Sequence, residues 1–326
     1  METVSLGRSG LRVSRLCLGT MVFGSQCDAA AAFAIMDTAE TLGIDFLDVA
    51  DVYPVPVGPA TWGRTEEIVG RWLRGRRERF VVATKCANRV GPGPNDQGGS
   101  RKHVIEACER SLRRLQTDRI DLYYLHHADL GAPMEETLEA LDRLVQDGKV
   151  LYLGVSNFEA WQLGLAMTTI AERRLSRITA VQPRYNLLHR PAERDLFPLA
   201  RAAGIGVVPY NPLAAGMLAG RYRRGEAAPE GSRFARGDYG RMYQGRYWSD
   251  AMFDVAETVE DVSRAEGMTP AQVSLAWMLG RDAVTAPIVG ASSPAQLRDS
   301  AAALDRRLTD GARDRLDEVS RPFLSS

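Results

Sequence analysis

Short, almost continuously apolar runs recur along this chain at a steady pitch, and nearly every one is followed by a stretch with helical spacing. SRLCLGTM (14–21) reads as a strand, and Asp28 is placed to cap a helix through Ala31–Leu42. The pattern repeats with DFLDVA (45–50) before a helix at 65–75, FVVATKC (80–86) before 101–115, and IDLYYLHH (120–127) before 134–147. It continues with VLYLGVSNF (150–158) before 159–173, and AVQPRYN (180–186) before a helix through Leu196, Leu199 and Ala203. GIGVVPYNP (204–212) is the seventh strand, and TAPIVGA (285–291), followed by a helix over 294–304, is the last. Runs that do not alternate with polar residues are the mark of parallel strands whose outer face is covered by helices. Eight such units predict an α/β fold, a (β/α)8 TIM barrel. In the 101–115 helix, Ile105, Cys108, Leu112 and Leu115 fall on one face, expected to be buried. No GxGxxG follows the first strand, which argues against a doubly wound dinucleotide fold.

No Pro/Ser/Gly-rich linker divides the chain, so residues 1–326 read as one domain. Two connections are longer than barrel turns require: 87–100 (ANRVGPGPNDQGGS) and 213–249. Both leave the C-terminal ends of strands, the face on which barrel active sites are built. Long connections in a compact domain are usually functional lids or disordered segments. Tyr239, Tyr243, Tyr247 and Trp248 in the second favour a loop that contacts something.

Composition narrows the function. Forty-one basic residues balance forty-one acidic ones, so the excess of positive charge usual in nucleic-acid binders is missing. No apolar run approaches the roughly 18 residues of a membrane span, and METVSLGRSG lacks a signal-peptide apolar region. Four cysteines form no CxxC pair and no metal-ligand spacing. The expected protein is a cytoplasmic enzyme with reduced core thiols, no metal, and neither nucleic acid nor membrane as partner. Its state as monomer or homo-oligomer is not written in the sequence.

Three consecutive strands carry polar groups to one rim. Asp48 ends the second, with Tyr53 five residues on; Lys85 ends the third; His126 and His127 end the fourth. Barrel catalytic residues come from the ends of several strands, so an acid, a phenol, an amine and an imidazole converge. That set suits proton donation to a carbonyl. A phenol is a poor donor at neutral pH unless its environment is tuned, and a neighbouring ammonium is expected to lower its pKa. An aspartate would hold that ammonium, and an imidazole would hydrogen-bond the carbonyl oxygen where charge develops. Lysine is rare here, three against 38 arginines, so Lys85 at this position stands out.

These residues sit within a longer series: DVADVY followed by WGRTEEIVG, then ATK, DLYYLHHAD, GKVLYLGVSNF, VQPRYNLLHR and VPYNPLAAGMLAGRY. In number and order they resemble the aldo-keto reductases over nearly the whole chain. The stretch DVYPVPVGPATWGRTE, which lengthens the second connection, resembles a bacterial branch of that family. The resemblance implies a TIM barrel that binds NADP(H) and reduces an aldehyde or ketone to an alcohol. It assigns the catalytic tetrad to Asp48, Tyr53, Lys85 and His126, with Tyr53 as the acid; His127 stands where many relatives have Trp. It implies that Ser156, Asn157 and Gln182 bond the nicotinamide carboxamide and that Tyr210 stacks on the ring. Backbone amides around Leu213, Gly216 and Leu218 would face the pyrophosphate. Gly290, Ser292, Gln296 and Asp299 would hold the adenosine phosphate end. Gln296 stands where many relatives carry an Arg that contacts the 2′-phosphate, and Ser300 where many carry Asn. Trp62, His127 and the 213–249 connection are expected to shape the pocket for a small-molecule carbonyl substrate. The family also contains channel β-subunits, so a cofactor-binding regulatory subunit with little turnover is the alternative.

Overall fold

The structure, a computed structural model, describes residues 1–325. An antiparallel hairpin, β1 (Thr3–Ser5) and β2 (Arg12–Ser14), opens the chain. Eight parallel strands follow: β3 (Cys17–Gly19), β4 (Phe46–Asp48), β5 (Val81–Cys86), β6 (Ile120–Leu125), β7 (Val150–Ser156), β8 (Ile178–Gln182), β9 (Gly206–Val207) and β10 (Ile288–Gly290). They pair in chain order, with β10 beside β3. Thr285 N–H donates to Val207 O and Ile288 N–H to Pro209 O, both at 2.8 Å, which brings the last segment against β9 and closes the ring. The eight runs read from the sequence are thus eight parallel strands of a (β/α)8 fold, each shorter than its apolar run.

Helices α1 (Ala29–Leu42), α2 (Arg64–Trp72), α3 (Arg101–Leu115), α4 (Met134–Gln146), α5 (Ala160–Arg173) and α6 (Leu196–Ala203) each follow a strand. Asp28 caps α1 by accepting from Ala31 N–H at 2.8 Å, satisfying one of the free amides of a helix start. On α3, Cys108, Leu112 and Leu115 are buried while Ile105 is only half-buried. Three further helices, α7 (Gly237–Tyr247), α8 (Asp250–Glu266) and α9 (Pro270–Leu279), lie between β9 and β10, and α10 (Pro294–Ala301) and α11 (Asp310–Val319) complete the chain. The 213–249 connection is therefore partly helical. Three glycines weaken α7 as a helix, but packing overrides propensity. Tyr243 and Tyr247 are buried with Phe234 and Tyr222, and Phe234 meets Trp248 edge-to-face at 5.4 Å between ring centroids. A Cβ on Gly240 would lie 2.4 Å from Phe234 O, so the close approach itself requires glycine. All four cysteines are free and buried.

Two apolar layers position the site. The outer one fills the space between sheet and helices; the inner one fills the barrel with Cys17, Phe46, Ala83, Leu122, Tyr124, Ala180, Val208, Ala286 and Ile288. Leu6 and Val13 from the hairpin segment join the inner layer. Small and large residues interlock there: a Cβ on Gly154 would sit 2.4 Å from Tyr124 Cε1. Side chains on a strand alternate faces, so the residue two beyond each inner-layer residue also points inward, one step nearer the C-terminal mouth. Phe46 is followed in this way by Asp48, Ala83 by Lys85, Tyr124 by His126, Gly154 by Ser156, Ala180 by Gln182, Val208 by Tyr210 and Ile288 by Gly290. The strand period delivers the polar rim.

Candidate active site

Lys85 has no exposed surface and Asp48 only 3%, so their charges need partners. Lys85 Nζ donates to Asp48 Oδ1 at 2.5 Å and to Val49 O at 2.7 Å. The other carboxylate oxygen, Asp48 Oδ2, accepts from Gln182 Nε2 at 2.8 Å. This buried ion pair lies directly beneath Tyr53, with the ammonium 5.1 Å from the centre of the phenol ring. His126 meets the Tyr53 ring edge-on at 6.0 Å between centroids. The structure brings the four tetrad residues together.

Electrostatics give the two outer members opposite biases. Desolvation, then the Asp48 carboxylate, push the Tyr53 phenol well above its ordinary pKa. That direction is opposite to the one expected from Lys85 alone. Lys85 is already neutralised by Asp48, whose negative charge also faces the phenol. Desolvation, then Lys85 and His127, hold the His126 imidazole well below its ordinary value. At neutral pH the site holds a protonated phenol beside an uncharged imidazole, and both can donate to a developing oxyanion.

Above them opens a cavity of about 930 Å³. Asp48, Tyr53 and His126 line it near the β4–β6 rim. Ser156, Asn157, Gln182, Tyr210, Leu213, Gly216, Gly290, Ser292, Gln296 and Asp299 line it as well. Tyr210 is tied down by donating from its hydroxyl to Asn157 Oδ1 at 2.7 Å, and burial raises its pKa to about 12. Ser156 Oγ donates to Gln182 O at 2.9 Å, joining β7 to β8 at the mouth. Three of the expected residues lie elsewhere. Leu218 is fully buried, its N–H donates to Leu213 O at 3.3 Å, and it does not reach the cavity. Neither Trp62 nor His127 lines the cavity; His127 Nδ1 pairs with Ala128 O at 3.1 Å. The Gly216 amide is engaged by Leu213 O at 2.8 Å although the residue itself borders the cavity.

Other lining residues were not named one by one from the sequence, although the 213–249 connection expected to shape the pocket supplies several of them. Arg89, Arg221, Arg233, Arg236 and Arg246 face the cavity, as do Gln26 and Asn88. The lining carboxylates are both engaged: Asp48 by Lys85, and Asp299 by Gln272 Nε2 at 2.7 Å and Thr269 Oγ1 at 3.1 Å. The cavity is therefore cationic, which favours an anionic occupant. Arg221 falls inside VPYNPLAAGMLAGRY, so the motif pointed to it. Asn88 had only its place just past a strand end.

With this geometry in hand, comparison with known proteins decides the family. The sequence profile of the Aldo/keto reductase family matches residues 15–321. The chain belongs to the aldo/keto reductase family. An uncharacterized oxidoreductase of Bacillus subtilis, YrpG, is 41% identical over 94% of this chain and 91% of its own length. A probable voltage-gated potassium channel subunit beta of Arabidopsis thaliana is 35% identical over 98% and 96%. L-glyceraldehyde 3-phosphate reductase of Escherichia coli is 34% identical over 92% and 86%. The chain is an oxidoreductase of this family, and no helix among its described residues is long and apolar enough to cross a membrane.

Proposed function

We propose that this aldo/keto reductase reduces a small aldehyde or ketone to the alcohol in the cytoplasm, with NADPH as cofactor and Tyr53 as general acid. The observation that carries the reading is a phenol kept protonated beside a neutral imidazole on the floor of a large cationic cavity. When bound, NADPH supplies the hydride that reaches the carbonyl carbon. Tyr53 gives its proton to the carbonyl oxygen, and His126 orients that oxygen by a hydrogen bond. The Lys85 ammonium, held beneath the ring by Asp48, would offset the charge left on the phenol.

The lining suits such a cofactor. Gly290 carries no Cβ, and one built there meets nothing within 4 Å, so any side chain would intrude on free cavity space. Ser292, Gln296 and Asp299 border the same region, where the N-terminus of α10 presents the positive end of its dipole to a phosphate. Arg221, Arg233 and Arg236 add charge that favours the extra phosphate of NADP over NAD. Ser156, Asn157, Gln182 and Tyr210 would hold the nicotinamide end, and Leu213 the pyrophosphate. The reductase named in Escherichia coli acts on an aldehyde, which agrees with this substrate class.

A second reading, a regulatory subunit that binds cofactor and turns over little, draws on the relative named as a potassium channel subunit beta. Loss of NADPH absorbance against a panel of aldehydes and diketones separates the two. Steady turnover supports the reductase, whereas tight NADPH binding without turnover supports the regulatory subunit.

A further inference from the structure

His126 has two ring nitrogens, and only the one carrying the proton can donate to a substrate oxygen. We infer that Asn88 is a positioning residue that fixes His126 in the Nε2–H tautomer, by presenting its Nδ2 donor to His126 Nδ1 at 2.6 Å. This inference rests on the reading of His126 as a hydrogen-bond donor to the carbonyl oxygen. A neutral imidazole has one N–H and one lone pair. With the lone pair on Nδ1 accepting from the Asn88 amide, the proton sits on Nε2.

The surrounding backbone holds this arrangement from several sides. His126 N–H donates to Cys86 O at 2.9 Å, which sets the end of β6 against the end of β5. His126 O accepts from Asn157 Nδ2 at 2.8 Å, tying it to the end of β7. Between Cys86 and Asn88, Ala87 takes a φ of 88°, a left-handed conformation that is costly for a residue with a Cβ. That turn carries the chain from the end of β5 to the point where Asn88 meets the imidazole. Ala87 O accepts from Gly98 N–H at 2.8 Å, so the far end of the 87–100 connection braces the turn. This long connection has no regular structure, and bracing Asn88 gives it a function. The Asn88 amide is uncharged, so it satisfies Nδ1 without drawing a second proton onto the ring, and the Lys85 ammonium nearby also disfavours one.

The test uses full-length protein labelled with 15N-histidine at pH 8, with the His126 signals assigned by comparison with His126→Gln. Wild-type His126 should show a protonated Nε2 and an unprotonated, hydrogen-bonded Nδ1. Asn88→Asp replaces the donor with an acceptor and should move the proton to Nδ1. Asn88→Leu, of similar shape but without a donor, should leave a mixture of tautomers. Carbonyl reduction by both variants should show kcat reduced about tenfold or more, while NADPH binding stays unchanged. A wild-type Nδ1–H tautomer would overturn the inference. So would an Asn88→Asp protein whose tautomer and kcat match the wild type. If the tautomers respond as stated but the wild type reduces no carbonyl, the Asn88–His126 arrangement stands and the reductase reading fails.

Discussion

Gln182 Nε2 donates to Asp48 Oδ2 at 2.8 Å, although 134 positions separate the two residues along the chain. The bond spans the barrel from β8 to β4 and completes the shell around the buried carboxylate, whose other oxygen is held by Lys85. A residue expected to touch the nicotinamide thus also has a structural task beneath it.

Replacing Gln182 with Met keeps the bulk and removes the donor. One oxygen of a buried carboxylate then loses its partner, which typically costs about 1–3 kcal/mol. Urea denaturation of Gln182→Met should register a loss of that size. Stability equal to the wild type would mean that the Asp48–Gln182 bond contributes little.

The Lys85–Asp48 pair should behave as one unit. Removing one member of a buried ion pair strands the other and typically costs about 3–5 kcal/mol. Lys85→Met and Asp48→Leu should each fall in that range, while the double variant should cost clearly less than the two losses added. Simple additivity in a double-mutant cycle would contradict the coupling.

Asp51 gives a pH signature in stability. It is 1% exposed, and neither carboxylate oxygen has a hydrogen bond of good geometry. Burial, then the nearby Glu66 carboxylate, push its pKa well above the usual value; Arg114, Arg110 and the Val52 N–H offset only part of this. The native state therefore binds the proton more tightly than the unfolded chain. The stabilising effect is fully present below the ordinary Asp pKa and is lost as pH rises through the native one. Asp51→Asn removes that dependence. Relative to wild type it should gain stability as pH rises, by up to about 1.4 kcal/mol per pH unit within that window. Urea melts at several pH values check this, and a constant difference across pH would contradict it.

The barrel was legible because its strands are buried on both faces and so read as unbroken apolar runs. The rim was legible for the same reason, since Asp48, Lys85 and His126 interrupt those runs at their C-terminal ends. Helix α9 carried no periodic signal: every residue from Ala271 to Leu279 is buried, so it has no polar face to mark its turns. Helix α8 was readable in principle, with Phe253, Ala256, Val259 and Val262 spaced by three residues on one buried face. Helix α7 was hidden by its glycines, and only the aromatic packing around Phe234 explains it. The raised pKa of Tyr53 was not readable, because it depends on which charge the ammonium has already met. The Asn88–His126 contact joins two strand ends through a turn at Ala87, a geometry that no residue type announces.

The most direct test of the central claim measures NADPH binding and carbonyl reduction side by side in wild type and Tyr53→Phe. If the protonated Tyr53 phenol is the general acid, the variant should bind NADPH as tightly as the wild type, followed by fluorescence titration. Its kcat should fall by about 10²–10⁴-fold. Turnover retained in Tyr53→Phe, or lost only in proportion to NADPH binding, would contradict the assignment of the acid to Tyr53.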